Sequence, residues 1–414
     1  MKKKILWLSD NPDTCTGFSS QSLNIVNGLV DRGWDCHYMA HNYIGITKRS
    51  VTINNLKRPH TTMPDGTEYK FTMYGSQGEG YCKNTIVPRI REIKPDYFVI
   101  LLDTFMTHPW ILDYDLAPAK TIFYYPSDGG GGMPIGCDNI LRKFNIPVAM
   151  SQFGQKQVKD YYNIDAKYIQ HGVNHRTFRP TDKDKAKAKN QVAGKFVVGC
   201  VARHQPRKNL DRLIKTAALL CPKYPDMIFV LHSDPLDPAQ SSNLQELTIK
   251  LGLQNRIFYT GMRVHNPYTY DQLRDVYNCF DVFFLPTSGE GFGVPTIEAM
   301  ACGVPVVATD YTSTQELIIK DGQCGLPVKL SGTESFNYFD IPSKQYDFLM
   351  MNGTLTGSWN VERGICSITH AAEQIEKLYL DKKLRENFGQ VGRDKVIRHY
   401  TWEGVMAKWM ELLK

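Results

Sequence analysis

The sequence of 414 residues contains no apolar run of the ~18 residues that a membrane-spanning helix needs, so no integral membrane span is expected. Its ten cysteines include no Cys-x-x-Cys pair and no zinc-ligand spacing. Cys200, Cys279 and Cys302 sit in apolar surroundings, which fits reduced, buried thiols of a cytoplasmic protein. No Gly-x-Gly-x-x-Gly turn follows a strand with an acidic residue some ~20 positions later, which speaks against a dinucleotide-dependent dehydrogenase. Basic residues are scattered and not interleaved with aromatics in a stripe, which speaks against a nucleic-acid reader. His171 and His175 have a metal-ligand spacing, but Gly172-Val173-Asn174 between them disfavours the helix that would put both on one face.

What is present describes a water-soluble globular chain. Hydrophobic residues make up 42% and charged residues 22%, and the length implies two domains of roughly 200 residues each. A net charge of +7 suits anionic ligands or membrane surfaces without choosing between them. Met1-Lys-Lys-Lys followed by Ile5 to Leu8 resembles the opening of a signal peptide, but Ser9-Asp10 ends the apolar part after four residues, so it reads as a first strand. An amphipathic helix is expected over Ser19–Arg32, and strands over Asp96–Leu102 and Lys120–Tyr125. These strands end in Asp103 and in Ser127-Asp128, a doubly wound α/β pattern whose ligands bind beyond the carboxyl ends. Gly129 to Gly132 after Asp128 mark a loop that a ligand approaches. A linker is expected over Tyr168–Pro180, and the alternation restarts at Lys195–Val201.

Thr287 to Asp310 is the densest stretch. Asp281–Pro286 reads as a buried strand, Pro295 suits a first helical turn, Gly303 a helix end, and Val304–Ala308 a second strand, which makes a βαβ unit. Gly291, Phe292 and Gly293 lie just before the helix and offer backbone N–H groups to an anion such as phosphate. Two carboxylates, Glu290 and Glu298, flank that site and are expected to accept from hydroxyls. Arg203-His-Gln-Pro-Arg-Lys208, after the first strand of the second domain, offers the matching cations.

Together these residues resemble the retaining GT-B glycosyltransferases that include glycogen-synthase-like, mannosyl- and glucosyl-transferases (glycosyl transferases group 1). Glu290 to Glu298, within the stretch that runs on to Ala308, is similar to the donor-sugar signature, Arg203 and Lys208 to the diphosphate-binding pair, His171–Pro180 to the hinge, and Thr16-Gly17-Phe18 to the first glycine loop. Tyr400–Glu403 resembles the helix that crosses back to the first domain. The resemblance leaves out about 42–90 and 328–362. It implies two Rossmann-like domains facing across a deep cleft, an acceptor domain over 1–178 with a crossover helix from about 398 to 414, and a donor domain over 179–397.

The same resemblance implies roles. Arg203 and Lys208 would neutralise the leaving diphosphate without a metal, Glu298 would accept from ribose hydroxyls, and Glu290 from the transferred sugar. Backbone of Gly291, Phe292, Gly293, Val294 and Thr296, with Gly17, would hold sugar and phosphate, and the base would meet backbone near Met262 and Arg263. Many relatives carry a His where this chain has Tyr125-Pro-Ser-Asp128, so Asp128 takes that place, with His108 as the fallback. The expected reaction moves a hexose from a UDP- or GDP-sugar to an acceptor hydroxyl with retention and no further cofactor. A lipid-linked sugar, polysaccharide or protein is expected as acceptor ahead of modified DNA, in a cytoplasmic protein with peripheral membrane contact. A nucleotide-sugar epimerase and a non-catalytic nucleotide-sugar-binding protein are the alternatives.

Overall fold

The computed structural model describes residues 2–12, 16–41, 43, 49–52, 70–76, 80–107, 110–134, 136–237, 242–262, 268–337 and 360–414. The chain divides into two compact units, one of Met1–Ser127, Gly132–Gly172 and Trp402–Lys414, the other of Asp128–Gly131 and Val173–Thr401.

The first unit is built on an eight-stranded sheet. Its strands are β1 (Lys4–Asp10), β2 (Asp35–His41), β3 (Arg49–Thr52), β4 (Lys70–Gly75), β5 (Tyr97–Leu101), β6 (Lys120–Tyr125), β7 (Ile146–Ala149) and β8 (Lys167–Tyr168), ordered β3-β4-β2-β1-β5-β6-β7-β8. All neighbours are parallel except β3 and β4. Parallel strands need crossovers, and α1 (Gly17–Asp31), α2 (Ile86–Ile93), α3 (Cys137–Lys143) and α4 (Gln152–Tyr162) supply helices between them. The α1 helix starts two residues before the Ser19 expected from periodicity because the Thr16 hydroxyl accepts from Ser19 N at 3.0 Å and caps it.

The second unit repeats the plan: β9 (Phe196–Val201), β10 (Met227–His232), β11 (Ile257–Tyr259), β12 (Val282–Leu285), β13 (Val306–Thr309) and β14 (Gly325–Val328) form one parallel sheet, ordered β11-β10-β9-β12-β13-β14. Every residue of β9, β10 and β12 is buried, as expected of strands covered on both faces. Helix α5 (Lys183–Lys189) precedes β9, and α6 (Leu210–Leu220), α7 (Leu244–Lys250), α8 (Tyr270–Cys279), α9 (Val294–Ala301) and α10 (Ser313–Ile318) link the strands. An antiparallel ribbon, β15 (Leu330–Asn337) with β16 (Asn360–Cys366), follows, and then α11 (Ile368–Leu380) and α12 (Lys382–His399). The sheet order reverses between β9 and β12, the point outside whose strand ends open α/β sheets bind ligands.

The last helix, α13 (Trp402–Leu412), belongs to the first unit. Its Trp409 is fully buried and packs edge-on against Trp7 and Tyr124, with ring centroids 5.3 and 5.2 Å away. The unit boundaries differ from the expected 178 and 398: the chain leaves the first unit after Gly172 and returns at Trp402. A larger difference concerns Asp128, expected in the first domain. Gly130 and Glu362 exchange backbone hydrogen bonds of 2.8 and 3.2 Å, which pair Asp128–Gly131 with β16 of the second unit.

Among the described residues nine cysteines are free and buried. Cys15 lies outside them. His171 is buried, its Nδ1 is 2.8 Å from the Tyr124 hydroxyl, and no helix runs through 171–175.

Candidate active site

Two loops meet at the carboxyl ends of β9 and β12. The first holds Arg203 to Lys208 and closes with a tight turn over Pro206–Lys208, after which Asn209 takes a left-handed conformation and α6 begins. The second runs from Thr287 to Gly293 into α9. The Arg207 carbonyl joins them by accepting from Ser288 N at 2.7 Å, Ser288 Oγ at 2.9 Å and Thr287 Oγ1 at 3.3 Å. Three donors on one carbonyl fix the loops against each other, so the charges that follow are set in place.

Those charges form a chain. Lys208 Nζ pairs with Glu290 Oε1, and both side chains are buried. Arg207 Nη1 lies 3.3 Å from Glu290 Oε2 and donates to the Gly289 carbonyl at 3.1 Å, while its Nε is 3.6 Å from Asp128 Oδ2. Arg363, on β16, lies 3.3 Å from Asp128 Oδ1 and donates to the Asp128 carbonyl. Three cations thus alternate with two carboxylates, an excess of one positive charge. Burial by itself would raise the Glu290 carboxyl, but Lys208 and Arg207 outweigh it and hold it at about 2, so it is a carboxylate at neutral pH. Burial, and then Arg207, push the Lys208 ammonium below its usual range, with Glu290 opposing both.

This arrangement changes the expected division of labour. Glu290 is not free for hydroxyls alone, because Lys208 and Arg207 already engage both its oxygens. Arg203 does not join Lys208 in the chain of charges. Its Nε donates to Asp237 Oδ2 at 2.7 Å and its Nη2 to Asp237 Oδ1 at 3.2 Å, and Asp237 is fully buried while Arg203 keeps a solvent-facing part. The bidentate grip holds the guanidinium at the rim of the loop.

Gly293 opens α9 at φ 99°, a conformation that a side chain disfavours, and α9 aims its N-terminal N–H groups into this loop. Ser313 Oγ donates to the carbonyls of Glu290 and Phe292 at 2.7 and 2.9 Å, and Glu290 N donates to Thr312 Oγ1 at 2.9 Å, which stiffens the turn. Phe292 is buried and packs against Tyr400, so it offers a ligand only its backbone. Thr296 is buried in the first turn, and its hydroxyl makes no hydrogen bond to the protein. Val294 is half-buried.

Glu298, in the second turn of α9, has a different environment from Glu290. The Tyr277 hydroxyl donates to its Oε2 at 2.7 Å, and burial pushes its carboxyl up to about 7, the tyrosine working against that rise. One site thus holds an ionised carboxylate and one that titrates near neutrality.

Met262 follows β11 at the sheet edge and is half-buried, beside an exposed Gly261. Arg263 and His108 lie outside the described residues. Gly17 is the first residue of α1 in the first unit, and a Cβ there would meet nothing within 4 Å. Asp237, Tyr277 and Arg363 were not singled out from the sequence. Arg207 stood in the basic loop, and only its contact with both Asp128 and Glu290 marks it out. No helix among the described residues is long and apolar enough to cross a membrane.

With this geometry in view, residues 182–337 match the model of the family described as glycosyl transferases group 1. That segment, and not the whole chain, is similar to group 1 glycosyl transferases. Its relatives include a lipopolysaccharide core biosynthesis mannosyltransferase, LpsB, of Rhizobium meliloti, 34% identical over 184 residues that cover 43% of this chain and 49% of that protein. A D-inositol 3-phosphate glycosyltransferase of Rhodococcus erythropolis is 29% identical over 210 residues, 49% of this chain and 46% of that protein. The chain therefore spans about half the length of these relatives. Among solved structures, sucrose-phosphate synthase from Thermosynechococcus elongatus superposes with a TM-score of 0.71 at 16% identity, covering 99% of this chain and 98% of the other. HepE from Anabaena, solved with UDP, gives 0.67 at 16% identity over 100% and 99%. The fold is the GT-B fold of these structures, with two parallel-sheet α/β domains. The matched segment contains Arg203, Arg207, Lys208, Glu290 and Glu298 but ends before Arg363.

Proposed function

We propose that this chain transfers a hexose from a nucleoside diphosphate sugar, UDP- or GDP-linked, to an acceptor hydroxyl with retention of anomeric configuration. The observation that carries the reading is the joined pair of loops beyond β9 and β12, which places Arg207, Lys208 and the α9 N-terminus around one point. Breaking a glycosyl–phosphate bond leaves negative charge on the diphosphate and positive charge on the ring. Fixed cations and N–H groups aimed at the diphosphate lower that barrier, each such donor contributing about 3–4 kcal/mol in a preorganised site. Lys208 and Arg203 meet the phosphates, and the excess positive charge of the cluster takes the part a divalent cation plays elsewhere.

Glu298 accepts from the ribose diol and Glu290 from the hexose, the latter already oriented by Lys208 and Arg207. Backbone from Gly291 to Thr296 cradles sugar and phosphate, and backbone near Met262 and Arg263 meets the base. Retention follows if the acceptor attacks on the leaving-group face and a diphosphate oxygen takes its proton. Asp128, engaged by Arg207 and Arg363, orients groups in this scheme and is not its base.

The test is proton NMR at early times of the sugar released to water from UDP- and GDP-hexoses. Release of the donor's own anomer, undiminished by EDTA, is expected. The opposite anomer would overturn retention, loss with EDTA would overturn metal independence, and an epimerised nucleotide sugar without release would overturn transfer itself.

A further inference from the structure

The β15–β16 ribbon lies at the edge of the matched family segment, with β16 beyond it, yet β16 is tied to the site on two sides. On one side Gly130 and Glu362 exchange their backbone hydrogen bonds, and the Tyr311 hydroxyl reinforces the pairing by accepting from Gly130 N and donating to the Glu362 carbonyl, both at 3.1 Å. On the other, Gly364 N donates to the Ser288 carbonyl at 3.0 Å, one residue before the Gly289–Glu290 turn. β16 therefore bridges Asp128–Gly130 and the donor loop through main chain alone. Arg363, between those two attachments, is 3% exposed and points its guanidinium at both the carbonyl and the carboxylate of Asp128.

The contact is close enough to dictate residue 289. A Cβ at Gly289 would stand 1.9 Å from the Asp128 carbonyl oxygen and 3.2 Å from Arg363 Nη1. The Asp128 backbone, the Arg363 guanidinium and the Gly289 main chain thus occupy one packed layer directly behind Glu290. A buried guanidinium is desolvated at a cost, and here its Nη1 offsets that cost by donating to the Asp128 carbonyl while standing 3.3 Å from the Asp128 carboxylate.

We propose that the ribbon is a working part of the donor site, with Arg363 as a positioning residue that sets Asp128 and the Gly289–Glu290 turn against the hexose of the donor. It rests on the reading of this site as the place of a nucleoside diphosphate sugar. Arg363 touches neither Lys208 nor Arg203 among the contacts above, so it acts on the sugar half of the ligand and leaves the diphosphate half to those residues. Asp128 then holds its place through Arg207 on one oxygen and Arg363 on the other.

The experiment measures binding of UDP and GDP by calorimetry, and turnover of UDP- and GDP-hexoses, for the full chain and for Arg363→Ala, Arg363→Lys, Asp128→Asn and the Arg363→Ala/Asp128→Asn double variant. Binding of one nucleoside diphosphate by the unaltered chain tests the underlying reading by itself, since its absence removes the donor site whatever Arg363 does. The expected result is that Arg363→Ala binds that diphosphate within about threefold of the unaltered chain but turns over about a hundredfold more slowly, the size of effect a misplacement of about 1 Å produces. Arg363→Lys recovers part of the loss, and the double variant is slower than Arg363→Ala by much less than the Asp128→Asn effect on the unaltered chain, because the two changes share the Arg363–Asp128 contact. Turnover within threefold in Arg363→Ala overturns the proposal. Loss of diphosphate binding together with turnover, or fully additive effects in the double variant, overturns it too, because either would make Arg363 a general support of the fold.

Discussion

Replacing Glu298 with Gln should abolish a specific pH dependence of stability. The Glu298 carboxyl is raised from 4.5 to about 7, chiefly by burial. Because the folded value lies above the unfolded one, folding favours the protonated form. The stability this group allows is complete below pH 4.5 and is lost as pH rises through about 7. A difference of that size corresponds to about 3.4 kcal/mol at 1.36 kcal/mol per pH unit. The side chain keeps a part-exposed edge, and solvent reduces the figure to about 2–3 kcal/mol. Gln keeps the shape and can still accept from the Tyr277 hydroxyl, but it has nothing to ionise. The assay is urea denaturation of both proteins from pH 5 to 8. His41, His171 and His232 are held neutral by burial, with values of about 4, 3 and 4, and their contribution rises with pH. They are common to both proteins and cancel in the difference. The variant should gain about 1.5–2 kcal/mol on the unaltered chain between pH 5 and 8, the rest of the effect lying below pH 5. Parallel stability curves would refute the assignment of that environment to Glu298.

Lys208→Met leaves Glu290 buried with only Arg207 as its charged partner; breaking such a pair costs about 3–5 kcal/mol, so chemical denaturation should show a clear loss along with the loss of diphosphate binding. Acid should do the same in the unaltered chain: Glu290 at about 2 contributes stability that is present above pH 4.5 and lost as pH falls towards 2, a slope that Glu290→Gln removes. Gly289→Ala should cut turnover by at least tenfold, since its Cβ would force apart Asp128 and the donor loop, and unaltered kinetics would contradict the packed layer. Gly293→Ala should lower stability by about 1 kcal/mol or more, because φ 99° strains any side chain and the Cβ would stand 3.2 Å from Leu317 Cδ1.

The parts of the site legible in the sequence are those written locally. Gly293, Pro295 and Gly303 punctuate α9, and the apolar runs on either side announce β12 and β13, so the helix mouth could be placed from spacing alone. Arg203 and Lys208 stand directly after β9, again a local signal. Contacts across long separations were hidden. Asp237 lies 34 residues from Arg203 and Arg363 lies 235 from Asp128, and no periodicity links either pair. Asp128 stands after β6 of the first unit in sequence, so strand counting assigns it there, whereas Gly130, two residues on, pairs with β16. The carboxylates were recognised, but their opposite electrostatics were not legible, since burial beside Lys208 and burial beside Tyr277 are properties of the fold.

The most direct test of the central claim is calorimetric titration of the full chain with UDP and with GDP, repeated on Lys208→Met and Glu298→Gln. The account predicts that one nucleoside diphosphate binds, that Lys208→Met abolishes the binding, and that affinity rises with pH through about 7 in the unaltered chain but not in Glu298→Gln, since an ionised carboxylate holds the ribose diol. Absence of binding by either nucleotide, or binding indifferent to Lys208, would contradict it.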